Sequence, residues 1–188
     1  MSGRVGVFGK IAGLGDFVRR DLSDGFVEVW DPWLARMMTE SRALLGPGWE
    51  SAYASAPIWR FALAPGLAGR GARIGVLMPS QDRVGRYFPL TLVAAMPAEK
   101  AAAALGDDAA LRAMEEVALD TLDYGRGIGA LDAALARLHA PTGGSGPALV
   151  GSHWCHAGDG LVQRHTGLPA GSDFASMLRP ADLAELGA

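Results

Sequence analysis

Three short apolar segments, at residues 57–63, 72–78 and 90–95, have the length and composition of β-strands. The connections between them, residues 64–71 and 79–89, are too short to contain the crossover helix that parallel neighbours require. Neighbouring strands in this part of the chain must therefore run antiparallel. We predict an antiparallel meander, extended into a larger sheet by strands at residues 4–9 and 148–155.

Helical periodicity begins at Ser23, where apolar residues recur at spacings of three and four as far as Gly46. This pattern predicts an amphipathic helix. Pro32 lies inside the pattern and either kinks the helix or begins a new one. The tryptophans in and near the helix and strands fall on apolar faces, which predicts that four of them belong to the core: Trp30, Trp33, Trp49 and Trp59.

Two alanine-rich helices are predicted after Pro97, and Asp107 has the side chain and position of an N-cap for the first. Helical spacing predicts their inward residues: Leu111, Met114, Ala118 and Leu122 in one, and Ile128, Leu131, Leu135 and Leu138 in the other. Beyond the 148–155 strand we predict a hairpin partner at residues 161–165, joined across a turn at 158–160, and a last helical turn or two at 174–178.

These elements predict an α/β (α+β) fold with one mixed, mostly antiparallel sheet packed by about three to four helices. The 188 residues suit one full-sized core, so we expect a single domain spanning residues 1–188. Residues 141–147, PTGGSGP, are predicted to be a flexible connector within it.

Charge and composition restrict the setting in which the chain works. A net charge of −3 gives no basic face for nucleic acid, so we expect no nucleic-acid partner. No stretch of the sequence is long and apolar enough for membrane insertion. The lone Cys155 has no internal partner for a disulfide, which agrees with a reducing compartment. We therefore expect a cytoplasmic protein.

Glycines punctuate the segment GRVGVFGKIAGLGD, but nucleotide-binding patterns fail there. Arg4 stands where a phosphate loop requires glycine, and Ile11 stands where Ser or Thr would hold magnesium. Val18 replaces the last glycine of the dinucleotide pattern. Four later side chains have metal-ligand chemistry: His153, Cys155, His156 and His165. Their spacing matches no zinc motif, and strand alternation lets at most two converge, so no cofactor and no metal is predicted.

The connection at residues 79–89, PSQDRVGRYFP, carries more charge than a hairpin turn needs. In one interpretation Asp82 accepts bidentate hydrogen bonds from Arg86 or Arg60 and holds the loop against the sheet. Loss of Asp82 or Arg86 would then lower the free energy of unfolding by about 1–3 kcal/mol. In the other interpretation the arginines, above all Arg83, face outward toward an acidic or phosphorylated partner.

The same two interpretations apply to Lys10 and Asp16 in the first glycine-rich turn. Ser80 lacks the flanking glycines of a nucleophile elbow, and no motif links it to the distant His165. No catalytic residue is predicted. The candidates for partner binding or loop bracing are Lys10, Asp16, Arg60, Ser80, Asp82, Arg83 and Arg86.

Four ordered motifs, GKIAGLGDFVRR, FVEVWDPWL, APIWRFAL and GVLMPSQDRVGRYFPL, together resemble the TagF family of type VI secretion-associated proteins. The resemblance covers residues 6–96, and the chain beyond Pro97 matches only thinly. The matching positions are Gly9, Lys10, Gly15, Asp16 and Phe17 in the first motif, Asp31 and Trp33 in the helix, Trp59, Arg60 and Phe61 in the strand, and Pro79, Ser80, Asp82, Gly85, Arg86, Phe88 and Pro89 in the loop.

The resemblance implies a non-catalytic, cytoplasmic, post-translational repressor of type VI secretion assembly or firing. It implies that the repressor binds the forkhead-associated-domain protein of the apparatus, and that a serine/threonine phosphatase acts in the same pathway. Two alternatives stay open. One is a small hydrolase or phosphoryl-handling enzyme that uses the 79–89 loop, and the other is a structural or accessory subunit of the secretion machine. An enzyme should have a deep pocket that contains Ser80 and a base, whereas a binding module should have a braced loop.

Overall fold

A computed structural model describes residues 3–157 and 162–179 of the chain. At the centre of this described part lies one β-sheet. Its seven strands are all paired antiparallel, in the spatial order β2-β1-β5-β4-β3-β6-β7. The strands are β1 (Val5–Gly9), β2 (Val18–Arg20), β3 (Trp59–Leu63), β4 (Ala72–Met78), β5 (Leu90–Met96), β6 (Ser152–His156) and β7 (Gln163–His165). The predicted meander is β3-β4-β5, and the predicted α+β class with a mostly antiparallel sheet is confirmed.

The helices in the described residues are α1 (Asp24–Leu45), α2 (Trp49–Ser55), α3 (Ala98–Ala104), α4 (Asp108–Asp120), α5 (Ile128–Leu135) and α6 (Gly171–Met177). Helix α1 continues through Pro32 as one element, which settles the alternative left open by the sequence. A short 3-10 turn separates α1 from α2. Helices α2 and α3 are additions to the predicted set. None of these helices is long and apolar enough to cross a membrane.

The sheet carries an apolar layer on each face because side chains alternate along every strand. Helices α1, α2 and α6 pack on one face, which we call the aromatic layer because tryptophan, tyrosine and phenylalanine dominate it. Helices α3, α4 and α5 pack on the other face, the aliphatic layer. In β3, for example, Trp59 and Phe61 enter the aromatic layer, whereas Ala62 enters the aliphatic layer.

Trp30 lies at the centre of the aromatic layer and is fully buried. Its indole N–H donates to the hydroxyl of Thr91 in β5 over 2.8 Å, which ties α1 to the middle of the sheet. Trp33 donates to the carbonyl of Pro169 and Trp59 to that of Met177. Every buried indole named here therefore has a hydrogen-bond acceptor, as a desolvated donor requires. The prediction that Trp30, Trp33, Trp49 and Trp59 belong to the core is confirmed.

Several predicted details differ from the structure or are refined by it. The inward placement of Leu122 is wrong: α4 ends at Asp120, so Leu122 lies in the following turn and is 41% exposed. The strand predicted from residue 148 begins only at Ser152, because Gly151 before it has a positive φ of 70°. Asp107 does cap α4, accepting from the Ala110 N–H. The predicted turn at residues 158–160 lies outside the described residues.

The connector at residues 141–147 contains neither helix nor strand, as expected. It is nevertheless attached to its surroundings. Thr142 donates to the Asp107 carboxylate through its N–H and its hydroxyl, and the Gly146 N–H donates to the Glu99 carbonyl. These bonds fix the segment beside α3 and the start of α4.

At Gly75 in β4 an aromatic ring packs directly against the backbone of the sheet. Gly75 pairs with Phe61 across the β3–β4 ladder. A Cβ on Gly75 would meet the Leu92 carbonyl oxygen, the Phe61 ring at 2.8 Å and the Val93 Cα at 3.0 Å. The glycine is therefore required for packing between backbone and ring.

We expect Gly75→Ala to lower the free energy of unfolding by about 1–3 kcal/mol through overpacking. The measurement is urea unfolding followed by tryptophan fluorescence. Gly71→Ala is the matched control, because a Cβ at Gly71 meets nothing within 4 Å. Equal stability of the two variants would contradict this account of the packing.

Candidate functional site

Two loops meet at the end of the sheet where β1 and β4 end and β5 begins. The first loop is residues 10–17 and the second is residues 79–89; together we call them the paired loops. The Arg83 N–H donates to the Leu14 carbonyl over 2.9 Å, and the Arg86 guanidinium donates to the Gly15 carbonyl over 2.5 Å. Two of the four sequence motifs are thereby joined into one structure.

Gly9 makes this close approach possible at the end of β1. Its φ of 135° lies in a region that side chains rarely adopt, and a Cβ there would clash with the Pro89 carbonyl oxygen. Glycine therefore meets two requirements at this position, one conformational and one steric. The chain then turns directly into Lys10.

Asp82 is the centre of the paired loops and has no solvent exposure. Its Oδ2 accepts from Lys10 Nζ at 2.9 Å and from Arg86 Nε at 2.6 Å. Its Oδ1 accepts from the backbone N–H groups of Val84 at 3.0 Å and Arg86 at 2.9 Å. Four donors thus satisfy one carboxylate, and they come from both loops.

The surroundings of Asp82 decide its charge. Burial by itself raises the pKa of the Asp82 carboxyl, but the hydrogen bonds from the Arg86 N–H, the Lys10 ammonium and the Arg86 guanidinium outweigh it. The net effect holds the pKa of Asp82 well below its usual range. Lys10 is itself only 7% exposed, so each buried charge depends on the other for compensation.

Ser80 also forms bonds within the protein. Its hydroxyl donates to the Lys10 carbonyl over 2.8 Å. Its backbone N–H and C=O both bond to the hydroxyl of Tyr53, each over 3.0 Å. Burial raises the pKa of Tyr53, which therefore stays neutral as both donor and acceptor. Ser80 is thus anchored to the first loop and to α2, and its hydroxyl proton is directed at a carbonyl oxygen.

Arg60 lies elsewhere, on the aliphatic face of β3. Its guanidinium binds both carboxylate oxygens of Glu115, at 2.6 and 3.0 Å, and Asp108 at 2.7 Å. The hydrogen bond to Glu115, with that to Asp108, raises the pKa of Arg60 despite burial. Of the two partners considered for Asp82, the structure therefore selects Arg86. Arg60 instead fixes α4 to the sheet, because strand alternation places its side chain on the face that α4 covers.

Arg83 and Asp16 project from the outer side of the paired loops, and both are exposed. Within residues 3–157 and 162–179 neither side chain forms a hydrogen bond or ion pair. Two apolar side chains accompany them on this surface: Phe17, 49% exposed, and Val84, 70% exposed. The Phe17 ring packs against the Phe88 ring in an edge-to-face arrangement, with ring centroids 4.8 Å apart. The paired loops therefore have a braced interior and an unpaired charged and apolar exterior.

A third segment, residues 121–127 after α4, lies against the paired loops. The Ala12 N–H donates to the Thr121 carbonyl over 3.1 Å, and the Gln81 amide donates to the Tyr124 hydroxyl over 2.8 Å. Sequence reasoning named Lys10 as a candidate for loop bracing but did not identify Asp82 as its partner. It did not find this neighbouring segment or the role of Tyr53. All of them act across long sequence separations, for which one sequence carries no local signal.

The histidines and Cys155 follow the predicted strand alternation. Trp154 is fully buried in the aromatic layer, and the His156 ring meets the edge of Trp59 at 5.1 Å. His153 and Cys155 lie on the opposite face of β6, where they pair with Ala62 and Arg60 of β3. Among the described residues no group of three or more His, Cys, Asp or Glu is placed to hold a metal ion.

Comparison with known proteins matches residues 6–138 to the family model described as the TagF N-terminal domain, type VI secretion system-associated. Three solved chains also match. One is the crystal structure of PA0076 from Pseudomonas aeruginosa PAO1, with 38% sequence identity and a TM-score of 0.84. That match covers 93% of this chain and 94% of the other. No curated protein matches the chain.

We expect Asp82→Asn to lower the free energy of unfolding by about 3–5 kcal/mol near neutral pH, because it leaves Lys10 buried without a counter-charge. The folded-state pKa of Asp82 is depressed, so its stabilisation is present above the unfolded-state pKa of about 3.9 and is lost as pH falls through the folded-state pKa. The difference between wild type and variant should therefore shrink below about pH 4. Urea unfolding across this pH range measures it.

Asp16→Asn is the control for this prediction, since its side chain is exposed and has no partner in the described part of the chain. Its stability should stay within about 0.5 kcal/mol of wild type. A difference between wild type and Asp82→Asn that grows on acidification would contradict the assigned charge state of Asp82.

Proposed function

Because this chain belongs to the TagF family of type VI secretion-associated proteins, we propose that it is a non-catalytic regulator of that system. In this proposal it acts in the cytoplasm as a post-translational repressor of assembly or firing. It does so by binding the forkhead-associated-domain protein of the apparatus. A serine/threonine phosphatase acts in the same pathway on the phosphorylation state of that partner.

The observation that carries the proposal is the division of the paired loops into a braced interior and an unpaired exterior. The side chains that could act in catalysis already form bonds within the protein: Lys10, Ser80, Asp82 and Arg86. This arrangement supports a binding module, because a catalytic serine or carboxylate needs access to substrate. The exposed Arg83 then provides the charge for recognition.

Repression in this proposal is competitive. The chain occupies a surface of the forkhead-associated-domain protein that the apparatus needs, so it withdraws that protein by mass action. Arg83 engages an acidic or phosphothreonine-containing segment of the partner, for which an arginine fork is suited. Asp16 has the opposite charge on the same surface, and the pair of charges favours one orientation of docking.

The two alternatives have less support. A hydrolase that uses the 79–89 loop needs the Ser80 hydroxyl to face a base, but that hydroxyl donates to the Lys10 carbonyl. A structural subunit should remain assembled with the active apparatus, whereas a repressor should be released when the apparatus fires. Co-purification before and after activation distinguishes these two roles.

We expect calorimetric titration of this chain with the purified forkhead-associated-domain protein to show binding of micromolar affinity or tighter. Arg83→Glu should weaken that affinity by at least about tenfold, because it places like charge against an acidic surface. The melting temperature should not change, since the Arg83 side chain has no partner among the described residues. A titration with the threonine-phosphorylated partner shows whether Arg83 reads phosphate.

Arg70→Glu is the matched control, as an exposed arginine in the β3–β4 connection at the opposite end of the sheet. It makes the same change of charge away from the paired loops and should leave the affinity unchanged. If both variants weakened the affinity equally, the weakening would come from the change in net charge and not from the position of Arg83. Absence of binding by wild type, with either form of the partner, would overturn the proposed function.

A further inference from the structure

Exposed apolar side chains are concentrated at the end of the sheet that carries the paired loops. Of the eight large apolar residues that are exposed in the described part of the chain, five lie in the paired loops or between residues 119 and 124. They are Phe17, Val84, Leu119, Leu122 and Tyr124. The hydrogen bonds described above join residues 121–127 to both loops. Such a concentration of apolar surface is typical of a contact between proteins.

Two charged side chains at this end of the sheet have no partner within residues 3–157 and 162–179. They are Asp16 and Arg83. Every other charged side chain of the paired loops and of residues 121–127 forms an ion pair: Lys10 and Arg86 with Asp82, and Arg126 with Asp123. A partner that covers this surface must therefore bring one charge of each sign, because a desolvated charge needs a counter-charge.

A tight turn presents the positive charge. The Gly85 N–H donates to the Asp82 carbonyl over 3.0 Å, and Gly85 has a φ of 82°. Arg83 and Val84 occupy the two central positions of this turn, so their side chains project from its tip. The hydrogen bonds to the Asp82 carboxylate hold the same turn from inside. The position of the tip is therefore fixed before any partner binds.

A second copy of this chain supplies the charges that this surface requires. Asp16 is followed by Phe17 in the first loop, as Arg83 is followed by Val84 in the second loop. Each loop thus offers a charge next to an apolar side chain, and the two charges are opposite. A two-fold symmetric contact uses the same surface on both copies, so the first loop of each copy can face the second loop of the other. The small net charge of −3 opposes the approach of two copies only weakly.

We propose that two copies of this chain associate through their paired loops in a two-fold symmetric dimer. Arg83 of each copy binds Asp16 of the other, so the ion pair occurs twice. Phe17 of each copy packs against Val84 of the other. A contact made by two loops belongs to the weak, transient class, and we expect a dissociation constant of about 100 μM or tighter at low salt.

The consequence of this dimer for regulation rests on the proposed function. The dimer covers Arg83, which is the side chain that the proposed function assigns to the forkhead-associated-domain protein. Dimerisation and binding of that protein are therefore mutually exclusive. Each draws on the same pool of free chain, so the amount of partner determines by mass action how much dimer dissociates.

The first arm of the test is sedimentation velocity of the full chain at low ionic strength, in a concentration series that extends to about 1 mM, tenfold above the expected dissociation constant. We expect the sedimentation coefficient to rise with concentration toward that of a dimer. Added salt should weaken the dimer, because exposed ion pairs are screened. A wild-type chain that remains monomeric throughout the series would overturn the inference.

The second arm exchanges the two charges. Arg83→Glu and Asp16→Arg each bring like charges together twice, so each should raise the dissociation constant of the dimer at least about tenfold. With both exchanges in one chain the charges are again opposite, and the dissociation constant should return to within about threefold of wild type. Arg70→Glu and Glu28→Arg, at exposed residues outside the paired loops, are the matched controls and should have no effect.

The melting temperature of every variant should equal that of wild type, since none of the four side chains has a partner among the described residues. Single variants that weaken the dimer no more than the controls do would overturn the inference. It would also be overturned if both single variants weakened the dimer and the double variant did not recover, because the two residues would then not contact each other.

The third arm separates this inference from the proposed function, by titration of the same chains with the forkhead-associated-domain protein. The double variant should dimerise but bind that protein at least about tenfold less tightly, because the charges of the partner are not exchanged. A dimer without any binding of the partner would support the inference and overturn the proposed function. A monomeric wild type that binds the partner would do the reverse. A complex of the partner with the intact dimer would overturn their mutual exclusion.

Discussion

A buried carboxylate that carries a full charge is the constraint on which this end of the protein depends. Asp82 has no contact with solvent, so its charge must be balanced inside the protein. Lys10 and Arg86 provide the balance, and they can do so only if both loops adopt the observed paths. Because Lys10 follows β1 directly and Asp82 lies between β4 and β5, this charge cluster also fixes how those strands end.

The bracing explains how a loop surface can be precise without regular secondary structure. Backbone bonds from Arg83 to Leu14 and from Phe88 to Ser80 connect the second loop to the first loop and to itself. The Tyr53 hydroxyl adds a connection to α2. The exposed side chains on the outer side are thus attached to a well-braced backbone. Less conformational entropy is then lost when such a surface binds a partner. The strands that carry the two loops are themselves held in place, because helices pack on both faces of the sheet.

Local patterns in the sequence were sufficient for the meander, the long helix α1 and the tryptophan core, because each follows from spacing within one element. The partners of the charged residues were not predictable in the same way. Lys10 and Asp82 lie 72 positions apart, and Arg60 and Glu115 lie 55 apart, so nothing near either residue marks the pair. Leu122 fits the helical spacing of α4, but the helix ends two residues earlier. Strands β6 and β7 and helix α6 lie beyond the family-model match, yet the two strands complete the same sheet, and the likeness to PA0076 covers 93% of the chain.

The two edges of the sheet have a consequence for the behaviour of the protein at high concentration. In the described part of the chain these edges are β2 and β7, each three residues long and each containing arginine: Arg19 and Arg20 in one, Arg164 in the other. Short, charged edge strands give a second copy little unpaired backbone to extend. The fold therefore resists polymerising through its sheet. Even where many copies of the chain lie close together, its sheet edges offer little unpaired backbone for fibre growth.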